Sequence, residues 1–360
     1  MILKVRRKGI MPKKIAIFPI DYVTVSLARC AYMEGYEPLA LLAPALCVLE
    51  GCDIAKLDGG KNTNIRLYTD YENKILESDM VYFVNCQEAK KLLLQLLDYA
   101  KENNKKIVMS HDMDERSYME ETYSQEYIKD LKSEKQQKLF QLDIPIISIF
   151  TIGKNCGQLQ TEILARKYFT SKGYNVMQIG SHDFFSLFGC LCIPDEMFDS
   201  TIDPLNKTLI FNRFVYNQAA IKKPDIILLG VPNSIMKYNN NNLNGLGFLP
   251  VIIQSAIRSD IGIVNMYYGN YTTEFLEEIE QFCKYKLNVC AKYFGIANTS
   301  VSKNVDNPTE LEYLYLNSDF VKNNISDNEK YTMFPVYDEE TVYLALKKIE
   351  KEMQENPEQI

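Results

Sequence analysis

The chain has 360 residues, enough for two domains that each bury a core of their own. Its formal net charge of −7 argues against nucleic acid as a partner, because a phosphate backbone is met by a basic surface. The nine cysteines are scattered and odd in number, which fits free thiols in a reducing cytoplasm better than a disulfide framework. Cys190 and Cys192 form a lone CxC without the further ligands that zinc needs, so no metal is expected. No run reaches the roughly 18 apolar residues of a membrane span, and no membrane association is expected.

Residues 1–13 read as an extension. A Rossmann-like α/β domain is expected over 14–113. It opens with the β-branched run Lys14-Ile-Ala-Ile-Phe-Pro, a buried strand, followed by a helix from about Val23 to Glu34 that Gly35 ends. Leu39–Ala43, Met80–Val84 and Ile107–Ser110 read as further strands. Between the last two, Leu92, Leu93, Leu96, Leu97 and Ala100 share one face of a helix. Residues 114–143, rich in Glu, Lys, Gln and Tyr, read as a solvated helical connector. A second α/β domain is expected over 144–335. Its strands are Ile144–Phe150, Tyr174–Ile179, Asp225–Gly230, Ile261–Met266 and one from Val289; its helices include Gly245–Ile257 and Glu274–Lys286. Residues 336–360 hold a C-terminal helix over Glu339–Met353. The asparagine run at 239–242 with Asn244 reads as a polar surface loop. Strands alternating with helices predict α/β architecture: two doubly wound, mostly parallel, three-layer lobes.

The second lobe opens with a strand, a glycine-containing turn and a helix, the setting in which backbone N–H groups cradle phosphate. The turn runs Gly153-Lys-Asn-Cys-Gly157-Gln158-Leu159. Against G-x-x-x-x-G-K-[ST] it is one residue short, Gln158 replaces the charged lysine, and Leu159 replaces the magnesium-binding hydroxyl. Thr161 follows two residues later, on another side of the helix. The loop is therefore a degenerate P-loop: fit for an anion held by Gly153, Lys154, Asn155, Cys156, Gly157, Gln158 and Thr161, but stripped for hydrolysis and expected to work without magnesium. A ligand-free tight turn is the alternative.

Two strand ends add candidates. Gln178-Ile-Gly-Ser181-His182-Asp183 offers Gln178 and Ser181 as ligand contacts, and His182 and Asp183 for acid–base chemistry. Gly230-Val-Pro-Asn233-Ser234 ends the strand that would stand where Walker B does, but its acid, Asp225, begins the strand. Asn233 and Ser234 remain as ligand contacts. His111 with Asp112, Asp114 and Glu115 matches no metal motif, and acids at a helix start suit the macrodipole. No G-x-S-x-G elbow is present.

Several of these segments carry a resemblance. The opening Lys14-Ile-Ala-Ile-Phe-Pro-Ile-Asp, Asp58-Gly-Gly, Asn155-Cys-Gly, Lys172-Gly-Tyr-Asn-Val-Met-Gln-Ile-Gly-Ser, Leu187-Phe-Gly and Gly230-Val-Pro-Asn-Ser-Ile-Met-Lys-Tyr-Asn-Asn together resemble a clostridial family of peptide maturation system proteins. That family is encoded beside ribosomally made peptide natural products (RiPPs) and their radical-SAM enzymes. The resemblance spans about residues 14–300. It implies an accessory role in the cytoplasm, with a precursor peptide or a radical-SAM maturation enzyme as partner.

More distantly, the layout is similar to a two-domain family with a Rossmann-like first lobe and an Asp-Cys-x-x-Gly-Lys-Met-Thr-Thr loop in the second. Some of its members are amino-acid N-acyltransferases. Asn155-Cys156 and Gly157-Gln158-Leu159-Gln160-Thr161 depart from that loop at the lysine and the first threonine. This likeness implies a nucleotide or coenzyme A as ligand, and as alternative function an ATP- or CoA-dependent ligase or acyltransferase. The place of Lys154 is similar to the signature lysine of deviant P-loop ATPases, which acts across a homodimer.

Overall fold

The computed structural model describes residues 12–86, 88–110, 138–304, 307, 310–325 and 330–355. These divide into two compact units. One holds the chain up to Leu57 and from Asn62 to residue 110; the other holds Asp58–Lys61 and the chain from residue 138 onward.

In the first unit, β1 (Lys14–Ile20), β2 (Glu37–Leu42), β3 (Leu67–Tyr68), β4 (Met80–Phe83) and β5 (Lys106–Met109) form a parallel sheet in the order β3-β2-β1-β4-β5. The order reverses between β1 and β4, as in a doubly wound sheet. Both faces are covered, so β1 is buried from Ile15 to Ile20 and reads as a continuous apolar run. The longer helices are α1 (Val25–Met33), α2 (Tyr71–Glu77) and α3 (Lys90–Glu102). Leu93, Leu96, Leu97 and Ala100 of α3 pack into the core with Phe18, Val81 and Phe83. That is the stripe the leucine spacing predicts.

The second unit contains β6 (Ile146–Thr151), β7 (Val176–Gly180), β8 (Leu191–Cys192), β9 (Ile226–Ser234), β10 (Ile261–Met266), β11 (Cys290–Ile296), β12 (Thr299–Lys303), β13 (Leu311–Tyr315) and β14 (Thr332–Pro335). Seven of these strands form a parallel sheet in the order β14-β11-β10-β6-β9-β7-β8, and β12 with β13 is a separate antiparallel pair. Its helices are α4 (Gln158–Ser171), α5 (Pro204–Lys222), α6 (Leu249–Ala256), α7 (Thr273–Lys286), α8 (Ser318–Asn323) and α9 (Glu339–Glu355). α9 presents Val342, Ala345, Leu346 and Ile349 inward, and its Glu350 accepts from the Tyr168 hydroxyl of α4 at 2.6 Å. The helix that follows the candidate loop is thus held between the sheet and the C-terminal helix. Two parallel sheets flanked by helices establish the predicted α/β class.

Some expectations change. The helix expected from Gly245 begins only at Leu249, because Asn244 and Gly245 adopt positive φ and the chain there folds against the loop. Residues 138–143, expected as the end of a helical connector, are irregular. α5 was not foreseen. The first eleven residues of the extension, 114–137 of the connector, the His111 group and residues 356–360 lie outside the described residues.

Candidate functional site

β6 ends at Thr151, and the chain turns through Gly153–Gly157 into α4. β9 and β10 flank β6, so this turn sits where the sheet order reverses. Asn155 and Gly157 both have left-handed backbone, φ 60° and 70°. Left-handed residues set among ordinary ones aim successive amides toward one point and make an anion nest. Among the described residues no acceptor meets the amides from Asn155 to Gln160. Lys154 is exposed, and its side chain has no ion-pair partner among those residues.

The loop's shape is fixed by a network of amides and phenols. Thr151 Oγ1 donates to the Gly153 carbonyl at 2.6 Å, and the Tyr267 hydroxyl donates to the Lys154 carbonyl at 2.7 Å. Asn244, buried and with φ 48°, donates through Nδ2 to Tyr267 at 2.8 Å. Its Oδ1 accepts from the Lys154 amide at 3.4 Å and from the Tyr313 hydroxyl at 3.2 Å. Asn155 Nδ2 donates to the Tyr315 hydroxyl at 3.3 Å. Ser234 Oγ donates to the Asn244 carbonyl. Gly153 is required by space: a Cβ there would lie 2.1 Å from Asn244 Nδ2 and 2.3 Å from the Tyr267 hydroxyl.

Several expected ligand contacts turn inward. The register of β6 with β9 shifts between Ile149 and Thr151, and the Gln158 amide fills that irregularity. Its Nε2 donates to the carbonyls of Ile149 at 2.9 Å and Val231 at 2.8 Å. A P-loop lysine would neutralise phosphate from this place; here the side chain joins two strands. Thr161 is fully buried, and its hydroxyl accepts from Asn265 Nδ2 at 2.7 Å. Cys156 is buried too, and burial pushes its thiol up to about 12, so it stays neutral. Asn233 is exposed at the end of β9 with φ 69°. Asp225 lies at the opposite end of that strand, where Oδ2 accepts from the Asn175 amide at 2.7 Å. It is not placed to hold magnesium beside the loop.

One residue that sequence reasoning missed organises the second strand end. Glu162 of α4 has no exposed surface. Ser181 Oγ donates to its Oε1 at 2.5 Å, and the Ser181 amide donates to Oε2 at 3.1 Å. Gln178 Nε2 lies 3.5 Å from the same Oε2. Burial drives the carboxyl up to about 7, while the Ser181 and Gln178 bonds and nearby His182 favour its charged form. Ser181 and Gln178, expected as ligand contacts, therefore serve Glu162. Next to them His182 Nδ1 lies 2.8 Å from Asp183 Oδ1 and 3.1 Å from the Phe184 amide. β6, β9 and β7 are successive neighbours, so the His182 turn lies roughly 10 Å from the loop, two strand spacings.

Among the described residues no group of His, Cys, Asp or Glu could hold a metal ion, and no helix is long and apolar enough to cross a membrane. Comparison with known proteins gives a fold and not a family. No family model and no curated protein matches the chain. A solved DUF1611 family protein from Anabaena variabilis is similar with a TM-score of 0.51 at 7% identity, covering 79% of this chain and 88% of that one. Chloroplast FtsY from Physcomitrella patens aligns over 76% of this chain and 85% of that one at 12% identity, with a TM-score of only 0.29. The likeness to the Anabaena protein speaks for the two-lobed α/β fold alone.

Proposed function

We propose that the second lobe binds a phosphate-bearing ligand, a nucleotide or coenzyme A, at the loop Gly153–Gln158 without hydrolysing it. The supporting observation is the loop itself: two left-handed residues, amides from Asn155 to Gln160 that meet no acceptor among the described residues, and the Lys154 cation, which has no ion-pair partner among them. Hydrolysis is disfavoured because Gln158 is spent on the Ile149 and Val231 carbonyls, and Leu159 offers magnesium no hydroxyl. The sequence resemblance to peptide maturation proteins supplies the setting. In this reading the protein is an accessory factor that meets a precursor peptide or a radical-SAM enzyme, with the loop as its ligand-sensing part. A thermal-shift panel of ADP, ATP, coenzyme A and acetyl-coenzyme A, with magnesium or with EDTA, tests the binding. Saturable stabilisation of a few kcal/mol in both conditions is expected at ligand concentrations far above the dissociation constant. Pull-down of precursor peptide or maturation enzyme tests the setting, and absence of any association would remove it.

A second reading has one specific observation in its favour. His182, Asp183 and the buried Glu162 gather at a strand end roughly 10 Å from the loop. Acid–base groups at that reach suit transfer of an acyl group from a phosphate-anchored donor, with His182 as base. Turnover abolished by His182→Ala would favour this ligase or acyltransferase reading. Ligand binding with no turnover of amino-acid or peptide acceptors would leave the first.

A further inference from the structure

The first lobe has a cavity of its own. About 250 Å³ in volume, it lies at the carboxyl ends of β1, β2 and β4 and is lined by Asp21, Tyr22, Pro44, Leu46, Cys86 and Glu88 together with neighbouring alanines and Val23. Open α/β sheets bind ligands in this crevice, at the point where strand order reverses. In dinucleotide-binding versions of the fold, a glycine-rich turn after the first strand opens the helix amides to phosphate.

Here that arrangement is inverted in charge. The turn Asp21-Tyr-Val-Thr contains no glycine. Asp21 Oδ1 accepts from the Val23 amide at 2.7 Å and from the Thr24 amide at 2.8 Å. The positive pole of α1 is thus met by the chain's own carboxylate, and an incoming phosphate would face a like charge. Asp21 Oδ2 has no protein donor among the described residues. Glu88 adds a second carboxylate, and no Lys, Arg or His lines the cavity among those residues. The rest of the wall is apolar apart from the Cys86 thiol and the phenol of Tyr22, whose ring face attracts cations.

We propose that this cavity binds a small amine with an apolar body. The ammonium lies with Asp21, Glu88 and the Tyr22 ring, and the hydrocarbon lies against Pro44 and Leu46. The lobe is Rossmann-like in topology yet selects a cation where its relatives in fold select phosphate. The site is separate from the phosphate loop and does not depend on it.

The test is calorimetric titration of the full chain at pH 7 with tyramine, and with 3-(4-hydroxyphenyl)propionate, which has a similar body and the opposite charge. Tyramine should bind saturably and the acid should not. D21N keeps an oxygen able to cap the turn but loses the charge, so tyramine binding should weaken about tenfold or more. If D21N does not fold, E88Q takes its place, since Glu88 is exposed and its loss leaves the fold intact. The proposal is overturned if tyramine gives no saturable binding, if the acid binds equally well, or if the charge-removing variant binds tyramine as the parent does.

Discussion

Glu162 gives the sharpest test of the packing around the site. A carboxyl whose ordinary value is 4.5 is held at about 7 in the folded chain, chiefly by burial. Between those values the folded state binds the proton more tightly than the unfolded state does. Stability from this group is therefore complete below about pH 4.5 and is lost as pH rises through 7. The separation corresponds to ~3 kcal/mol. Glu162→Gln keeps the side chain's size and an oxygen to accept from the Ser181 amide, but has no charge to bury. Its melting temperature, measured against the parent from pH 4 to pH 8, should gain steadily on the parent. At about 2–4 °C per kcal/mol for a unit of this size, the relative gain should approach 6–12 °C. Comparing the two proteins at each pH cancels the titrating groups that do not interact with Glu162, leaving the carboxyl and its coupling to His182. A difference that stays flat with pH would refute the buried, proton-retaining carboxyl. So would a variant that loses ground as pH rises.

Gly153→Ala should destabilise the second lobe by about 1–3 kcal/mol, because its Cβ meets Asn244 and Tyr267; urea unfolding reads this, and diphosphate binding should disappear with it. Lys154→Ala should leave stability within about 0.5 kcal/mol, since the side chain is exposed and unpaired among the described residues. The same change should weaken pyrophosphate binding about tenfold in calorimetry, a loss of ~1.4 kcal/mol. Gln158→Ala should cost ~1–3 kcal/mol of unfolding free energy, because the Ile149 and Val231 carbonyls lose their donor.

The parts of the fold that were legible in the sequence are those encoded locally. β1, β6 and β10 are short apolar runs, and α3 carries its leucines in one stripe. The loop is legible because strand, glycine and helix follow one another in about twelve residues. What stayed hidden depends on distant partners. Glu162 sits in a polar stretch, Gln160-Thr-Glu, that looks solvated until the sheet buries all three. Its carboxyl has room only because Gly230, on β9, lacks a side chain there. Asn244 belongs to a run of asparagines that reads as surface, yet its two amide atoms join the loop to Tyr267 and Tyr313. Gln158 occupies the lysine place, but its role follows from an irregularity in the β6–β9 register that no local pattern encodes. α5 is not legible in the sequence because polar residues interrupt its apolar positions. Asn212 lies beside Phe211 and holds the Phe140 and Ala256 carbonyls.

The loop after β6 is proposed to bind phosphate groups without cleaving them. Calorimetric titration of the full chain with ADP and with pyrophosphate, in magnesium and again in EDTA, addresses it most directly when paired with a phosphate-release assay on ATP. The predicted result is saturable binding of similar affinity in both buffers, weakened by Lys154→Ala, with no phosphate released. Absence of binding in either buffer would contradict the account. So would binding that requires magnesium and is accompanied by steady ATP turnover.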